Sequence, residues 1–220
     1  KPKIAYDINS NSIKNVIRHA ENSNCEIFVL VSTLGVYGEP LYFPTDEKHP
    51  RNPTEVYSIS KNLAEKGMEN VKTTIKKKVT VRLFNIYGPR QNQNMLIPKI
   101  LTQINKKPLI ELNNLNQTRD FLYVGDIVNG LFLAAKNGKN NEVYNLGSGT
   151  ETSIQSLIEV IEQITTYNLK VINRNINPKN HKSISRSQAD IKKALKHLKW
   201  RPKTSLKKGL KFTFEYFKFL

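Results

Sequence analysis

Tyr57 and Lys61 stand four apart in Tyr57-Ser58-Ile59-Ser60-Lys61. On a helix this spacing puts both side chains on one face, a turn apart. A lysine ammonium near a phenol favours the phenolate and lowers its pKa from about 10, so that the tyrosine can exchange protons near neutral pH. Alone the pattern is weak, because Tyr and Lys four apart are common on helix surfaces. Its surroundings strengthen it. The run Val31-Ser32-Thr33-Leu34-Gly35-Val36-Tyr37-Gly38 follows an apolar segment that reads as a buried strand. In a parallel sheet, ligands bind beyond the carboxyl ends of strands. A hydroxyl of Ser32 or Thr33 placed there can hydrogen-bond a substrate oxygen beside the tyrosine, although turn chemistry alone also accounts for both residues. Further on, Arg119 separates the polar turn 113–118 from the apolar segment 121–124. At the edge of a core a guanidinium needs an anionic partner. Its fork suits a phosphate, and a bridge to Asp120 or Asp126 is the plainer alternative.

The elements that must hold these residues follow from periodicity. Ile13, Val16, Ile17 and Ala20 predict a helix over 12–22, and the β-branched run 26–32, apolar on both faces, predicts a central parallel strand. Gly35, Gly38 and Pro40 predict a loop. A helix over about 54–71 carries Tyr57 and Lys61, and a strand over 79–84 ends at the turn Tyr87-Gly88-Pro89. This alternation is that of a doubly wound sheet. Beyond Pro89 we expect a helix over 97–105, a strand over 109–112, a helix over 127–135 capped by Asp126, and a strand near 143–146. A helix over 154–164 capped by Ser153, a short strand at Val171-Ile172, and helices over 189–198 and 206–217 complete the chain.

The 220 residues are 38% hydrophobic, enough for one substantial core or a core with a small lobe. The single cysteine, Cys25, excludes an intramolecular disulfide and fits a reducing compartment. The most apolar run, Ile27-Phe28-Val29-Leu30-Val31, is far short of the roughly 20 residues of a membrane span. No apolar signal region follows Lys1-Pro2-Lys3, so a cytoplasmic location with no membrane partner is expected. The net charge of +17 raises nucleic acid as a partner. However, the lysines are scattered over predicted helix surfaces without interleaved aromatics, and no nucleic-acid partner is expected. The positive field suits an anionic small molecule.

In ordered blocks the chain resembles the extended short-chain dehydrogenases/reductases that act on nucleotide-sugars, the NAD-dependent epimerase/dehydratase family. The blocks are Ser32-Thr33 with Val36-Tyr37-Gly38, and Asn52-Pro53 before Tyr57-x-x-x-Lys61. Next come Arg82-Leu83-Phe84-Asn85-Ile86-Tyr87-Gly88-Pro89-Arg90-Gln91 and Gln117-Thr118-Arg119-Asp120-Phe121-Leu122-Tyr123-Val124-Gly125-Asp126. Tyr144-Asn145-Leu146-Gly147-Ser148-Gly149 with Ser153, then Ala189-Asp190 and Trp200-x-Pro202, complete the match. The resemblance implies an α/β fold, a partial Rossmann sheet whose first strands are missing, with a small α/β C-terminal lobe for substrate. Residues 1–90 would be the remaining cofactor-binding part. Residues 91–220 would be mainly the lobe, with about 119–141 returning to the Rossmann part.

Residue by residue, the resemblance implies Tyr57 as catalytic acid and base, Lys61 as the residue that binds the nicotinamide ribose, and Thr33 as the hydroxyl that shares the substrate proton. Phe84 and Ser32 fall with Tyr57 and Lys61 on the cofactor side. Asn85, Leu96 and Arg119 fall with Thr33 on the substrate side, Asn85 and Arg119 at the diphosphate. The implied cofactor is NAD, with NADP left open, and the implied substrate is a nucleotide-sugar, a UDP-sugar first. A homodimer is implied for the full-length protein, and no metal. The 220 residues contain no Gly-x-x-Gly-x-x-Gly, which reads as an N-terminal truncation. Leu34-Gly35 stand where the family's dehydratases carry Asp-Glu, which argues for a UDP-glucose 4-epimerase-like activity. Asn180-His181-Lys182-Ser183 replace an arginine-bearing stretch, leaving Lys179 or Lys182 as substitutes for a second phosphate ligand. Another family activity, decarboxylase or reductase, and a non-catalytic sugar-nucleotide-binding remnant remain alternatives.

Overall fold

The computed structural model describes residues 2–112, 114–173 and 184–218. Its main sheet has three parallel strands, β1 (Ile27–Thr33), β2 (Lys77–Leu83) and β7 (Glu142–Leu146), in the order β1-β2-β7. Val29 stands opposite Val79, and Val81 opposite Tyr144. Covered on both faces, β2 is buried from Lys78 to Leu83. Lys78 is accommodated because its ammonium donates to the carbonyls of Met68 and Val71 at 2.8 and 3.3 Å. The central position expected for β1 belongs to β2. Among the described residues β1 is the outer strand, and Ile27 and Val31 are each 38% exposed despite their apolar pattern.

Helices flank this sheet. α1 (Pro2–Tyr6) starts with proline, whose missing N–H costs nothing in a first turn, and runs through a π-helical turn (Asp7–Asn11) into α2 (Ile13–Asn22). α3 (Val56–Asn70) crosses from β1 to β2, and α5 (Val124–Asn137) leads into β7. Ile13 and Ile17 of α2 meet Met68 of α3 and Ile75. Ile127 and Ala134 of α5 pack with Val79, Val81, Leu146 and Trp200. Each large aliphatic side chain buried this way contributes about 1.5–3 kcal/mol. α3 is further pinned to β2 by charge. Arg82, 3% exposed, donates from Nη2 to Glu65 Oε2 at 2.7 Å and from Nη1 to the Tyr37 hydroxyl at 3.0 Å. Tyr37 in turn donates to Asn145 Oδ1 at 2.7 Å, which joins β2, β7 and α3 through the segment that follows β1.

A second core lies over 96–217. α4 (Leu96–Ile104), α6 (Ile154–Thr165) and α7 (Leu206–Phe217) enclose the parallel pair β4 (Leu109–Leu112) and β9 (Lys170–Asn173). Ile100, Ile110, Leu157, Ile161, Leu210 and Phe217 are fully buried there. Two short ladders join the cores. β3 (Asn85–Tyr87) pairs in parallel with β6 (Phe121–Tyr123), and β5 (Thr118–Arg119) pairs antiparallel with β8 (Thr152–Ser153). The fold is thus Rossmann-like α/β.

Three local expectations are corrected. Residues 34–37 form a 3-10 turn instead of an open loop. Asp126 does not cap α5. It sits inside the first turn, and its Oδ2 accepts the Thr204 N–H at 2.9 Å. The helix expected over 189–198 begins late: Ala189 forms a bridge with Thr45, and a π-helical turn spans Ala194–Leu198. The early part extends because its backbone has a distant partner. Thr45 N–H donates to Gln188 O, and Asp190 N–H donates to Thr45 O. Ser153 does cap α6, accepting the Ser156 N–H at 2.9 Å. Among the described residues no helix is long and apolar enough to cross a membrane.

Candidate active site

β1 ends at Thr33, whose Oγ1 accepts the Gly35 N–H at 3.2 Å and starts the 3-10 turn. Beside this turn, the first residues of α3 and the strand ends of β3 and β5 enclose a cavity of about 310 Å³. Thr33, Tyr57, Asn85 and Arg119 all line it. Four residues spread over 87 positions of sequence therefore line one space, beyond the carboxyl end of parallel strand β1. Each is placed by a different element.

Tyr57 is 51% exposed in the first turn of α3. The expected lowering of its pKa by Lys61 is not what the geometry gives: partial burial pushes the phenol above its ordinary value. The Lys61 ammonium is engaged elsewhere, donating to the Val31 carbonyl at 3.0 Å, and burial pulls its own pKa down. Lys61 thus ties α3 to the end of β1. The neighbouring Ser32 is 3% exposed, and its Oγ is buried with no hydrogen-bond partner among the described residues. An unmet buried hydroxyl costs roughly 1–3 kcal/mol. Ser32 and the remaining N–H groups of Lys61 form a donor set that fits a hydroxyl-rich group such as a cofactor ribose. Among the described residues no group of three or more His, Cys, Asp or Glu is placed to hold a metal ion.

The other wall is polar and tightly bonded. Asp120 is fully buried between Arg119 and β6, and its carboxylate accepts the N–H groups of Ser148, Gly149 and Ala189 at 2.5, 3.0 and 2.9 Å. Burial raises its pKa, and these bonds oppose the rise. Ser187 Oγ accepts the Asp120 N–H at 3.1 Å and donates to Asn85 Oδ1 at 3.1 Å. With Oδ1 so engaged, the Asn85 Nδ2 donors remain for a ligand. Arg119 forms no bridge to Asp120 or Asp126. Among the described residues its guanidinium donates to neutral oxygens, those of Thr118 at 2.7 Å, Gln117 at 3.0 Å and Ser185 at 3.4 Å. Burial lowers its pKa, and the charge of Glu39 partly offsets this. A cation lining a cavity without a carboxylate in contact is suited to an anionic ligand.

Not every expected residue lines the cavity. Ser32 and Lys61 lie behind it at the β1–α3 junction. Phe84 is buried against Leu34, Val36 and Tyr37, and its N–H donates to Leu146 O at 3.0 Å. Leu96 packs on the second core, and its neighbour Met95 lines the cavity instead. Lys179 and Lys182 lie outside the described residues. Sequence reasoning missed Glu55, Met95 and Ser187, which all line the cavity. For Glu55 a signal existed, an acid two positions before the tyrosine. Leu34 and Gly35 also line the cavity, and a Cβ at Gly35 would stand 2.2 Å from Ser58 Oγ.

A family model described as GDP-mannose 4,6 dehydratase matches residues 1–213. The chain is 34% identical over 214 residues to the "Putative UDP-glucose 4-epimerase" of Methanocaldococcus jannaschii, covering 93% of this chain and 67% of that protein. It is 34% identical over 209 residues to the dTDP-D-glucose 4,6-dehydratase of Homo sapiens, covering 92% of this chain but only 59% of that protein. The crystal structure of a UDP-glucose 4-epimerase from Thermotoga maritima with UDP-glucose superposes with a TM-score of 0.91 at 28% identity, over 99% of this chain and 72% of that one. With the family match spanning nearly the whole chain and two curated relatives at 34% identity, the chain belongs to the NAD-dependent epimerase/dehydratase family of extended short-chain dehydrogenases/reductases, whose enzymes modify nucleotide-sugars.

Proposed function

We propose that the protein is a nucleotide-sugar 4-epimerase working with NAD or NADP on a UDP-hexose of the glucose/galactose type. The observation that carries this reading is the single cavity in which Thr33 and Tyr57 meet Asn85 and Arg119, with Leu34 and Gly35 between them. Arg119 and Asn85 hold the diphosphate by charge and hydrogen bonds. Tyr57 takes the proton of the sugar 4-hydroxyl and later returns it, while Thr33 hydrogen-bonds the same oxygen. Lys61, Ser32 and the backbone at Phe84 hold the dinucleotide, which when bound supplies the hydride acceptor and donor. A sugar anchored by its diphosphate can turn over in the cavity and be reduced on its other face, so no net redox change results.

Elimination of water needs an acid and a base near the sugar. Positions 34 and 35 supply neither, which favours epimerisation over the reaction named for the human relative. The same reading carries a homodimer, for which the exposed Ile4, Ile8, Val16 and Leu63 on the α1–α3 side offer apolar surface. The test is product analysis by NMR after the full-length protein is incubated with cofactor and UDP-glucose. UDP-galactose is expected. A 4-keto-6-deoxy product overturns the reading in favour of dehydration, and loss of carbon dioxide from UDP-glucuronate overturns it in favour of decarboxylation.

A further inference from the structure

Glu55 lines the cavity two residues ahead of Tyr57, at the N-cap of α3. A side chain there gains by accepting the free N–H groups of the first turn. Glu55 makes no such bond, and among the described residues its carboxylate has no hydrogen-bond or ion-pair partner. Among the described residues, the other charged one lining the cavity is Arg119. The two reach the cavity from different elements: Arg119 from the end of β5, with Asn85 and Ser187, and Glu55 from the N-cap of α3, beside Tyr57. The lining is therefore polarised between a cation on one element and a carboxylate on another.

A nucleotide-sugar is polarised too. Its diphosphate is drawn to Arg119 and repelled by Glu55, so the sugar falls beside Glu55 and Tyr57. We propose that Glu55 is a specificity-determining residue that selects nucleotide-sugars with an uncharged, hydroxyl-bearing hexose and rejects those whose sugar carries a carboxylate. The inference rests on the nucleotide-sugar reading above. Vicinal hydroxyls donate well to a carboxylate acceptor. A uronate carboxylate, in contrast, meets like charge a few ångströms away. Because Glu55 is exposed, water screens the repulsion, and the discrimination expected is about tenfold.

The experiment is calorimetric titration of the cofactor-loaded full-length protein with UDP-glucose and with UDP-glucuronate, in wild type, Glu55→Gln and Glu55→Asp. Wild type should bind UDP-glucuronate at least about tenfold more weakly. Glu55→Gln keeps an acceptor without the charge and should narrow the ratio to within about threefold, chiefly by tightening UDP-glucuronate. Glu55→Asp, which keeps the charge, should preserve most of the preference. Thermal melts verify that the variants fold. A ratio unchanged by Glu55→Gln, or equal binding of the two sugars by wild type, overturns the role of Glu55 and leaves the epimerase reading standing. Binding of neither sugar by wild type overturns the nucleotide-sugar reading and this inference with it.

Discussion

Ser187 Oγ lies 3.1 Å from Asn85 Oδ1, and through that contact a residue far along the chain sets the direction of the Asn85 amide. The serine accepts the buried Asp120 N–H at the same time, so its proton is committed to Asn85. Ser187→Ala frees the amide to rotate and should weaken binding of free UDP by about 0.5–1.5 kcal/mol, the net worth of one hydrogen bond. It also leaves the Asp120 N–H unmet, so the melt should show a loss of roughly 1–3 kcal/mol. Calorimetry with UDP and a denaturant titration check both. Unchanged UDP affinity in a folded variant removes Ser187 from the positioning of Asn85.

Arg119 donates three hydrogen bonds to neutral oxygens and touches no carboxylate among the described residues, so its charge is left for a ligand. Arg119→Ala should weaken UDP binding by about 1.5–3 kcal/mol, the range for hydrogen bonds to charged groups. Arg119→Lys should recover only part, because an ammonium lacks the two-pronged fork. Competition by free UDP, read in wild type and both variants alongside thermal melts, measures this. If Arg119→Ala folds and binds UDP as tightly as wild type, the guanidinium serves the loop at Ser185 alone.

The phenol of Tyr57 is shifted upward by burial alone, without a contribution from Lys61. In the absence of cofactor it should titrate above its ordinary value of about 10, and Lys61→Met should leave that titration where it is. NMR of ring-labelled tyrosine, assigned with Tyr57→Phe, reads it directly. The sign for stability follows. As pH rises past about 10 the unfolded chain loses this proton first, so the contribution of Tyr57 to stability falls until the folded phenol also ionises. A titration that moves clearly upward in Lys61→Met shows that the lysine tunes the tyrosine after all. Tyr57→Phe should remove most turnover with cofactor present and change UDP-sugar binding little.

Long periodic segments were legible without coordinates. The apolar stripes of α2, α4, α6 and α7 and the β-branched runs of β1 and β2 announce themselves, and so does the Ser153 cap. β3, β5, β6 and β8 have two or three residues each, too few for alternation to register. Their existence depends on partners across the chain, as when Asn85 pairs with Phe121. The same applies to Ala189, whose helical-looking neighbourhood is overruled by Thr45. At the candidate site, Tyr57, Thr33 and Arg119 suggest chemistry by residue type, and Asn85 was legible only through the family resemblance. Ser187 and Met95 carry no such mark, and only the approach of distant elements puts them at the cavity.

The turn between Thr33 and Tyr37 bears on the choice between epimerisation and elimination of water proposed above. Gly35 faces α3 so closely that a Cβ there would stand 2.2 Å from Ser58 Oγ and 3.1 Å from Ser58 Cβ. A carboxylate at position 35 therefore cannot be added without moving Ser58, and Ser58 is buried one residue after Tyr57. Gly35→Ala should destabilise the protein by about 1–3 kcal/mol, the usual cost of overpacking. Ser58→Ala removes the closest atom, so Ser58→Ala/Gly35→Ala should lose less than the sum of the single variants. Denaturant titration of all four proteins completes the cycle. Leu34→Asp/Gly35→Glu, which restores the acid pair, should fail to produce a 4-keto-6-deoxy sugar from UDP-glucose or dTDP-glucose and should lower the melting temperature. Efficient dehydration by that variant at wild-type stability shows that the turn accommodates the pair, and the packing of Gly35 against Ser58 then plays no part in choosing the reaction.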